Sequence, residues 1–332
     1  MKLLRKILFP LVPVYYSVTW LRNYLYDKGL KSSKHYDVPV ICVGNLSTGG
    51  SGKSPMIEYL IATLQEHYTI AVLSRGYKRL TTGFVLANEN STPQDIGDEP
   101  YQIFKKFEGI TVAVDGNRQE GIEGLLEHNP SIDIILLDDA FQHRKVSAKL
   151  NILLTPYYDM YYNDMVLPTG NLREPRAGAK RADLIIVTKC PPNITETEKQ
   201  SIIANIAPKP HQSVFYSFIN YDERAIGFNE TINLKVLSDF TLVTGIANPV
   251  PLVQYLKGLG LTFEHLVYGD HHHFTMKDIQ LLSTKGKLLT TEKDYVRLKD
   301  FEVLEARLYY LPISVSIDQS ENFKTKVLEY CK

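Results

Sequence analysis

Short, uninterrupted apolar runs recur along this chain, separated by stretches that keep a helical period. In the first half they fall at residues 38–43, 69–74, 110–114, 132–137, 150–155 and 184–187. Each is too short for a helix and lacks the polar alternation of a half-exposed strand, so each reads as a strand buried on both faces. Residues 56–64 and 119–128 read as helices between them, and a polar helical stretch at 191–210 closes the set. From about residue 214 a second set begins, with strands at 240–245, 261–267, 287–291 and 308–313 and helices at 250–259 and 276–284. The pattern predicts an α/β protein: a parallel sheet covered on both faces over 36–205, then a smaller α/β domain over 206–332. No internal repeat interrupts it.

The N-terminal stretch departs from this pattern. Residues 1–6 are basic, and 7–21 carry no charge but include Phe9, Tyr15, Tyr16 and Trp20. Arg22, Lys28, Lys31 and Lys34 follow. The uncharged run is shorter than the ~20 residues of a spanning helix, and Pro10 and Pro13 interrupt it. It has no small-residue cleavage site of the kind that ends a signal peptide. The preferred reading for 1–27 is an interfacial helix, aromatic on one side and basic on the other, lying in an anionic leaflet. The alternative is an ordinary helix packed on the protein body.

Composition narrows the function. Lys+Arg and Asp+Glu are both 37, so the chain is formally neutral, which argues against a whole-surface grip on nucleic acid. Cys42, Cys190 and Cys331 are few and far apart, which suits a reducing compartment and excludes a disulfide scaffold.

The strongest chemical signal follows the first strand. Ser47-Thr48-Gly49-Gly50-Ser51-Gly52-Lys53-Ser54 lies between a buried strand and a helix, the layout of a P-loop. Glycines let backbone N–H groups turn toward phosphate oxygens, and the helix N-terminus adds unpaired donors. Lys53 is placed for the β/γ-phosphates and Ser54 for Mg²⁺. The first glycine of the strict pattern is replaced by Ser47. The run Ile134-Ile135-Leu136-Leu137-Asp138-Asp139 is a hydrophobic strand ending in acid, where Asp138 and Asp139 can hold a metal. Gln142 and His143 follow and could orient water, metal or a substrate hydroxyl.

Gly97-Asp98-Glu99-Pro100 precedes an apolar helical run. Asp98 there is either a helix N-cap or, with Glu99, a proton acceptor for an attacking hydroxyl. In Asp270-His271-His272-His273 consecutive side chains point apart, so one histidine acts rather than three on one ion. The loop 167–176 carries Arg173 and Arg176, with Lys180 and Arg181 beyond, and its arginines can clamp phosphate.

Taken together these motifs resemble the tetraacyldisaccharide 4′-kinase family. The resemblance rests on residues 43–55, Leu73-Ser74-Arg75-Gly76-Tyr77, Gly97-Asp98-Glu99-Pro100 and Asp138-Asp139-Ala140-Phe141-Gln142-His143. It continues through Leu172-Arg173-Glu174-Pro175, Gly245-Ile246-Ala247-Asn248-Pro249, Asp270-His271-His272 and Thr291-Glu292-Lys293-Asp294. Ala140 stands where the family usually has glycine.

The resemblance implies two Rossmann-like lobes with the active site in the cleft, and an N-terminal membrane-associated helix. It implies transfer of the γ-phosphate of ATP, with Mg²⁺, to the 4′-hydroxyl of a tetraacylated glucosamine disaccharide 1-phosphate at the cytoplasmic face of a Gram-negative inner membrane. It also implies that Asp98 is the base and His271 its support. Arg75, Arg118 and Arg173 are candidates for phosphate contacts, with Glu99, Gln142 and His143 behind them. No obligate protein partner is expected. The competing readings are a GTPase, for which Val187-Thr188-Lys189-Cys190 has the lysine but not the asparagine of a guanine site, and a membrane-bound nucleotide switch.

Overall fold

The computed structural model describes Arg5, residues 7–270 and residues 272–332. Its elements run, after a 3-10 turn at Phe9–Leu11, α1 (Val12–Asp27), β1 (Val40–Asn45), α2 (Lys53–Leu64), β2 (Ile70–Ser74), β3 (Val85–Leu86), α3 (Pro93–Ile96), α4 (Asp98–Lys106), β4 (Thr111–Val114), α5 (Arg118–His128), β5 (Ile134–Asp138), β6 (Leu150–Pro156), β7 (Leu184–Thr188), α6 (Glu196–Ile206) and β8 (Ser213–Tyr221). They continue as β9 (Arg224–Ile226), β10 (Thr231–Asn233), β11 (Phe240–Thr244), α7 (Val250–Gly258), β12 (Phe263–Val267), α8 (Met276–Ser283), β13 (Lys287–Thr291), α9 (Glu292–Leu298), β14 (Leu308–Leu311), β15 (Ile313–Ile317) and α10 (Ser320–Glu329).

Nine strands form the first sheet in the order β15-β8-β7-β6-β1-β5-β2-β4-β3. Its middle, β8 through β4, is parallel, and the two edge strands pair antiparallel. Alternate side chains feed two cores, as buried parallel sheets require. Ile41 and Val43 join Met56, Ile57 and Leu60 on one face, while Val40 and Cys42 join Ile122, Leu125 and Phe141 on the other. The second sheet, β10-β9-β14-β13-β11-β12, is parallel over its last four strands.

The boundary expected at 205/206 is corrected by this topology. β8 pairs with β7, so the first sheet runs past the expected end. The apolar segment 308–313 splits into β14, in the second sheet, and the start of β15, which pairs with β8 in the first. The final helix follows it back: Phe323 and Val327 are fully buried, and Phe323 lies 5.8 Å from the ring of Tyr59 on α2. The smaller lobe is therefore an excursion between β8 and β15, not a C-terminal appendage. Two strands join it to the larger lobe, so the lobes are coupled twice through the backbone.

α1 is turned the opposite way from an ordinary surface helix. Its buried residues are the polar Thr19 and Asn23, and Tyr15 donates a hydrogen bond to the Arg173 carbonyl at 2.9 Å. Ile7, Leu11, Val14, Val18 and Leu21, spaced three or four residues apart along one stripe, are all exposed. Pro13 sits in the first turn, where a missing N–H costs nothing, so it starts the helix rather than breaking it. Among the described residues no helix is long and apolar enough to cross a membrane.

Candidate active site

The loop between β1 and α2 has the backbone that its glycines allow. Gly49 and Gly52 adopt φ of 117° and 89°, conformations closed to most L-residues. The loop is tied down on both sides. The Thr48 N–H donates to the Asn171 carbonyl at 2.8 Å, and the Arg173 N–H donates to the Leu46 carbonyl at 2.7 Å. From the other side the Thr188 hydroxyl donates to Ser51 O at 2.8 Å and Lys189 Nζ to Gly50 O at 2.5 Å. The lysine that suggested a guanine site is thus a brace for the loop, held in a left-handed backbone at φ 58°.

At the end of β5 the two aspartates diverge. Asp138 is fully buried and accepts a hydrogen bond from Ser74 Oγ at 3.0 Å, while its Oδ1 has no hydrogen-bond partner. Burial, with the neighbouring charges of Glu99 and Asp139, pushes its carboxyl up to about 6. Asp139 is the left-handed residue here, at φ 48°; Ala140 is not, so its methyl in place of glycine meets no backbone strain. Burial would raise the Asp139 carboxyl, but Lys53 and Arg173 outweigh it and hold it below its ordinary value. Lys53 Nζ lies 3.7 Å from Asp139 Oδ1.

Gly97, at φ 91°, is the N-cap of α4, and Asp98 is its first residue, so the N-cap reading of Asp98 is set aside. A Cβ at Gly97 would stand 3.1 Å from the Tyr77 carbonyl. Both acids of α4 are partnered from the smaller lobe. Asp98 is paired with Arg297, whose Nη2 lies 2.7 Å from its Oδ2. Glu99 takes the Lys293 ammonium. Burial works to raise Glu99, but Lys293, Lys53 and a hydrogen bond with Ser54 bring it down to about 2. Lys106 Nζ completes the seam by bridging Glu58 at 2.7 Å and Glu292 at 3.2 Å.

Of the remaining candidates, Arg75 is exposed at the end of β2. Arg118 is corrected to a structural role. It is 2 % exposed and donates to the carbonyls of Asp115 and of Asp138, the latter at 3.0 Å, so it fixes the β5 end from beneath instead of facing a ligand. Gln142 donates to Asn45 O at 2.8 Å and Glu174 Oε1 at 3.0 Å. Its amide is engaged within the protein, bracing the loop that carries Arg173. His143 is held neutral: burial, then the positive charges of Arg118 and Arg75, lower it to about 4. His271 lies outside the described residues. His272 pairs with Asp278 at 3.0 Å and stacks on Tyr268, a structural role at the start of α8.

The sequence pattern did not predict α9 as an element and passed over Arg297, while Lys293 and the buried Asp294 entered only as part of a motif. A local signal was present. Thr291 caps the helix by accepting from the Asp294 N–H, the Thr-x-x-Asp spacing of a helix start. Glu174 was read only as part of a motif. It is 0 % exposed and gathers Asn23 of α1 at 2.5 Å, Gln142, and both terminal nitrogens of Arg181.

A P-loop whose lysine faces a strand-end aspartate, with two acids held beside it by a second lobe, defines a two-lobed nucleotide-dependent phosphotransferase. The model of the family described as tetraacyldisaccharide-1-P 4′-kinase matches residues 4–332. The chain belongs to that family. It is 49% identical to the tetraacyldisaccharide 4′-kinase of Flavobacterium johnsoniae over 100% of this chain and 98% of the relative. It is 43% identical to that of Bacteroides thetaiotaomicron over 99% and 94%. A crystal structure of LpxK from Aquifex aeolicus in complex with ATP superposes with a TM-score of 0.79 at 30% identity, covering 99% of this chain and 100% of that one.

Proposed function

We infer that this protein transfers the γ-phosphate of ATP to the 4′-hydroxyl of a tetraacyldisaccharide 1-phosphate, a step of lipid A biosynthesis. The observation that carries the reading is the junction at Asp139, where the P-loop lysine and Arg173 meet one carboxylate at the end of β5. In this reading the backbone of Ser47 to Ser54 cradles the phosphates. Lys53 leaves Asp139 for the β/γ-phosphates, and Arg173 remains to orient Asp139 and to balance charge on the transferring group.

Mg²⁺ fits this site. Asp138 Oδ1 is a buried carboxylate oxygen without a hydrogen-bond partner, and Asp138 is crowded by the charges of Glu99 and Asp139, a donor set that suits a divalent cation. Among the described residues no group of three or more His, Cys, Asp or Glu could hold a metal alone. Magnesium in such sites is held by one or two carboxylates, waters and the phosphates themselves. Ser54, Asp138 and Asp139 are the residues that would hold it, and when bound it neutralises charge on the β- and γ-phosphates.

Asp98 is assigned as the acceptor of the 4′-hydroxyl proton, with His271 as its support. Glu99 is the poorer base, because Lys293 and Ser54 hold it ionised down to about pH 2. The substrate's four acyl chains keep it in a bilayer. The exposed stripe of α1, with Arg22, Lys28, Lys31 and Lys34 nearby, suits the cytoplasmic face of a Gram-negative inner membrane.

The test is ATP turnover with the disaccharide lipid in mixed micelles, reading addition of one phosphate by mass. Nucleotide hydrolysis that is indifferent to the lipid would reject the kinase reading. For the base, Asp98→Asn should lose kcat with ATP binding retained. Asp98→Ala plus His271→Ala should be little worse than Asp98→Ala alone; additive losses would break the dyad.

A further inference from the structure

α9 carries Glu292, Lys293, Asp294 and Arg297 within seven residues, on the opposite lobe from the acids it engages. Arg297 is nearly buried, its side chain 9% exposed, and it spends its guanidinium on two carboxylates. Nε and Nη2 both reach Asp98 Oδ2, at 2.8 and 2.7 Å. Nη1 reaches Asp294 Oδ1 at 3.1 Å.

Asp294 is itself fixed. It is 0% exposed, and its Oδ2 accepts the Gly245 N–H and the Thr291 hydroxyl, each at 2.8 Å. A Cβ at Gly245 would lie 2.8 Å from Asp294 Oδ1, so the turn after β11 is packed directly on this carboxylate. The chain of contacts is continuous: Gly245 backbone, Asp294, Arg297, Asp98.

We propose that Arg297 is a positioning residue for Asp98, a strut from the smaller lobe that fixes the base in its working orientation when the lobes are together. The proposal rests on the reading of Asp98 as the base. A planar guanidinium clamped by one buried carboxylate leaves the other little freedom, and this rigidity separates arginine from lysine at such a position. Aligning a reacting group is worth large factors in rate, and a displacement of about 1 Å can cost on the order of 10²-fold. The neighbouring pairs cross the same seam. Lys293 holds Glu99, Glu292 holds Lys106, and Lys299 Nζ donates to the Tyr101 hydroxyl at 3.1 Å. Lobe contact and orientation of the base are therefore one event.

The experiment uses the full-length enzyme with the disaccharide lipid in mixed micelles and follows kcat, KM for ATP, and kcat against pH. The charged and titratable groups to be considered around Asp98 include Arg297, Lys293 and Asp294 on α9, Glu99 beside it on α4, and His271 of the assigned dyad. Of these only Arg297 is removed. Arg297→Gln is expected to lower kcat about 10- to 100-fold while KM for ATP stays within about twofold. Losing the cation should also move the acidic limb of kcat upward by about one pH unit or more. Arg297→Lys, which keeps the charge without the fork, should leave that limb near its wild-type place and still lose kcat.

Wild-type kcat in either variant overturns the proposal, and so does a loss in Arg297→Gln with the limb unmoved. If Arg297→Gln does not fold, Arg297→Lys and Asp294→Asn carry the same forecast for kcat at constant KM for ATP, and wild-type kcat in both overturns it. Asp98→Asn, measured in parallel, separates the two readings. An active Asp98→Asn removes the base assignment. An inactive one beside a fully active Arg297→Gln removes only the role of Arg297.

Discussion

Arg173 closes on Asp139 through a single nitrogen: Nη1 lies 2.9 Å from Oδ1 and 3.1 Å from Oδ2. Arg176, three residues on, is exposed and uses its Nε on the backbone carbonyl of Asp164 at 2.9 Å. Two arginines of one loop thus stand in different environments. Arg173→Ala is expected to lower kcat/KM about 10- to 100-fold, because it removes charge and orientation from Asp139. Arg176→Ala should stay within about twofold. Equal, small losses in steady-state assays would mean that Arg173 is only a solvated charge.

Lys53→Ala should lower kcat by about 10²–10³, the usual scale for a charge aimed at a transferring phosphate. The fold should survive, because Asp139 keeps Arg173 as a partner. Thermal melting without nucleotide should be close to wild type, and the stabilisation by added MgATP should shrink. Turnover within tenfold of wild type would reject the phosphate role of this lysine.

His143 sets an acid limit on stability. Its folded value, about 4, lies below the ordinary 6.5 because burial and the charges of Arg118 and Arg75 disfavour the imidazolium. The unfolded chain therefore binds the extra proton first. Stability from the neutral ring is complete above about pH 6.5 and is lost as pH falls toward 4. His143→Gln should flatten the decline of Tm between those values. An identical slope in wild type and variant would place the decline on other groups.

The two sides of α1 should fail in different ways. Asn23→Ala takes a donor from the fully buried Glu174, at a cost of about 1–3 kcal/mol in urea unfolding, with vesicle flotation unchanged. Val14→Asp with Val18→Asp, both on the exposed stripe, should do the reverse. Flotation and activity on vesicle-borne lipid should fall while unfolding stays the same. Flotation that survives both aspartates would move membrane contact elsewhere on the protein.

The elements read most directly from sequence were those whose signal is local. A strand buried on both faces must be apolar at nearly every position, and β1, β2, β4, β5, β6 and β7 each lie within two residues of their expected limits. The P-loop was legible for the same reason, since its glycines, lysine and serine are contiguous. Composition exposed the odd N-terminal stretch and pointed to an outward apolar side, but not that α1 would bury the polar Thr19 and Asn23 against the protein. That depends on Glu174, whose burial no local pattern announces.

Pairing across distance belonged to the tertiary structure alone. Residues 213–221 and 313–317 fell inside the expected second domain without being read as strands, yet hydrogen bonding to β7 and to each other places β8 and β15 in the first sheet. Arg118 read as a phosphate ligand until packing put its guanidinium on backbone carbonyls beneath β5. Lys293 and Arg297 meet Glu99 and Asp98 across separations of 194 and 199 residues. Sequence supplied the charges, and their local order fixed the helices that bear them. Which cation holds which acid was decided when α9 came to rest on α4, because the energy of an ion pair depends on distance and burial in the folded chain, and neither is written in the order of the residues.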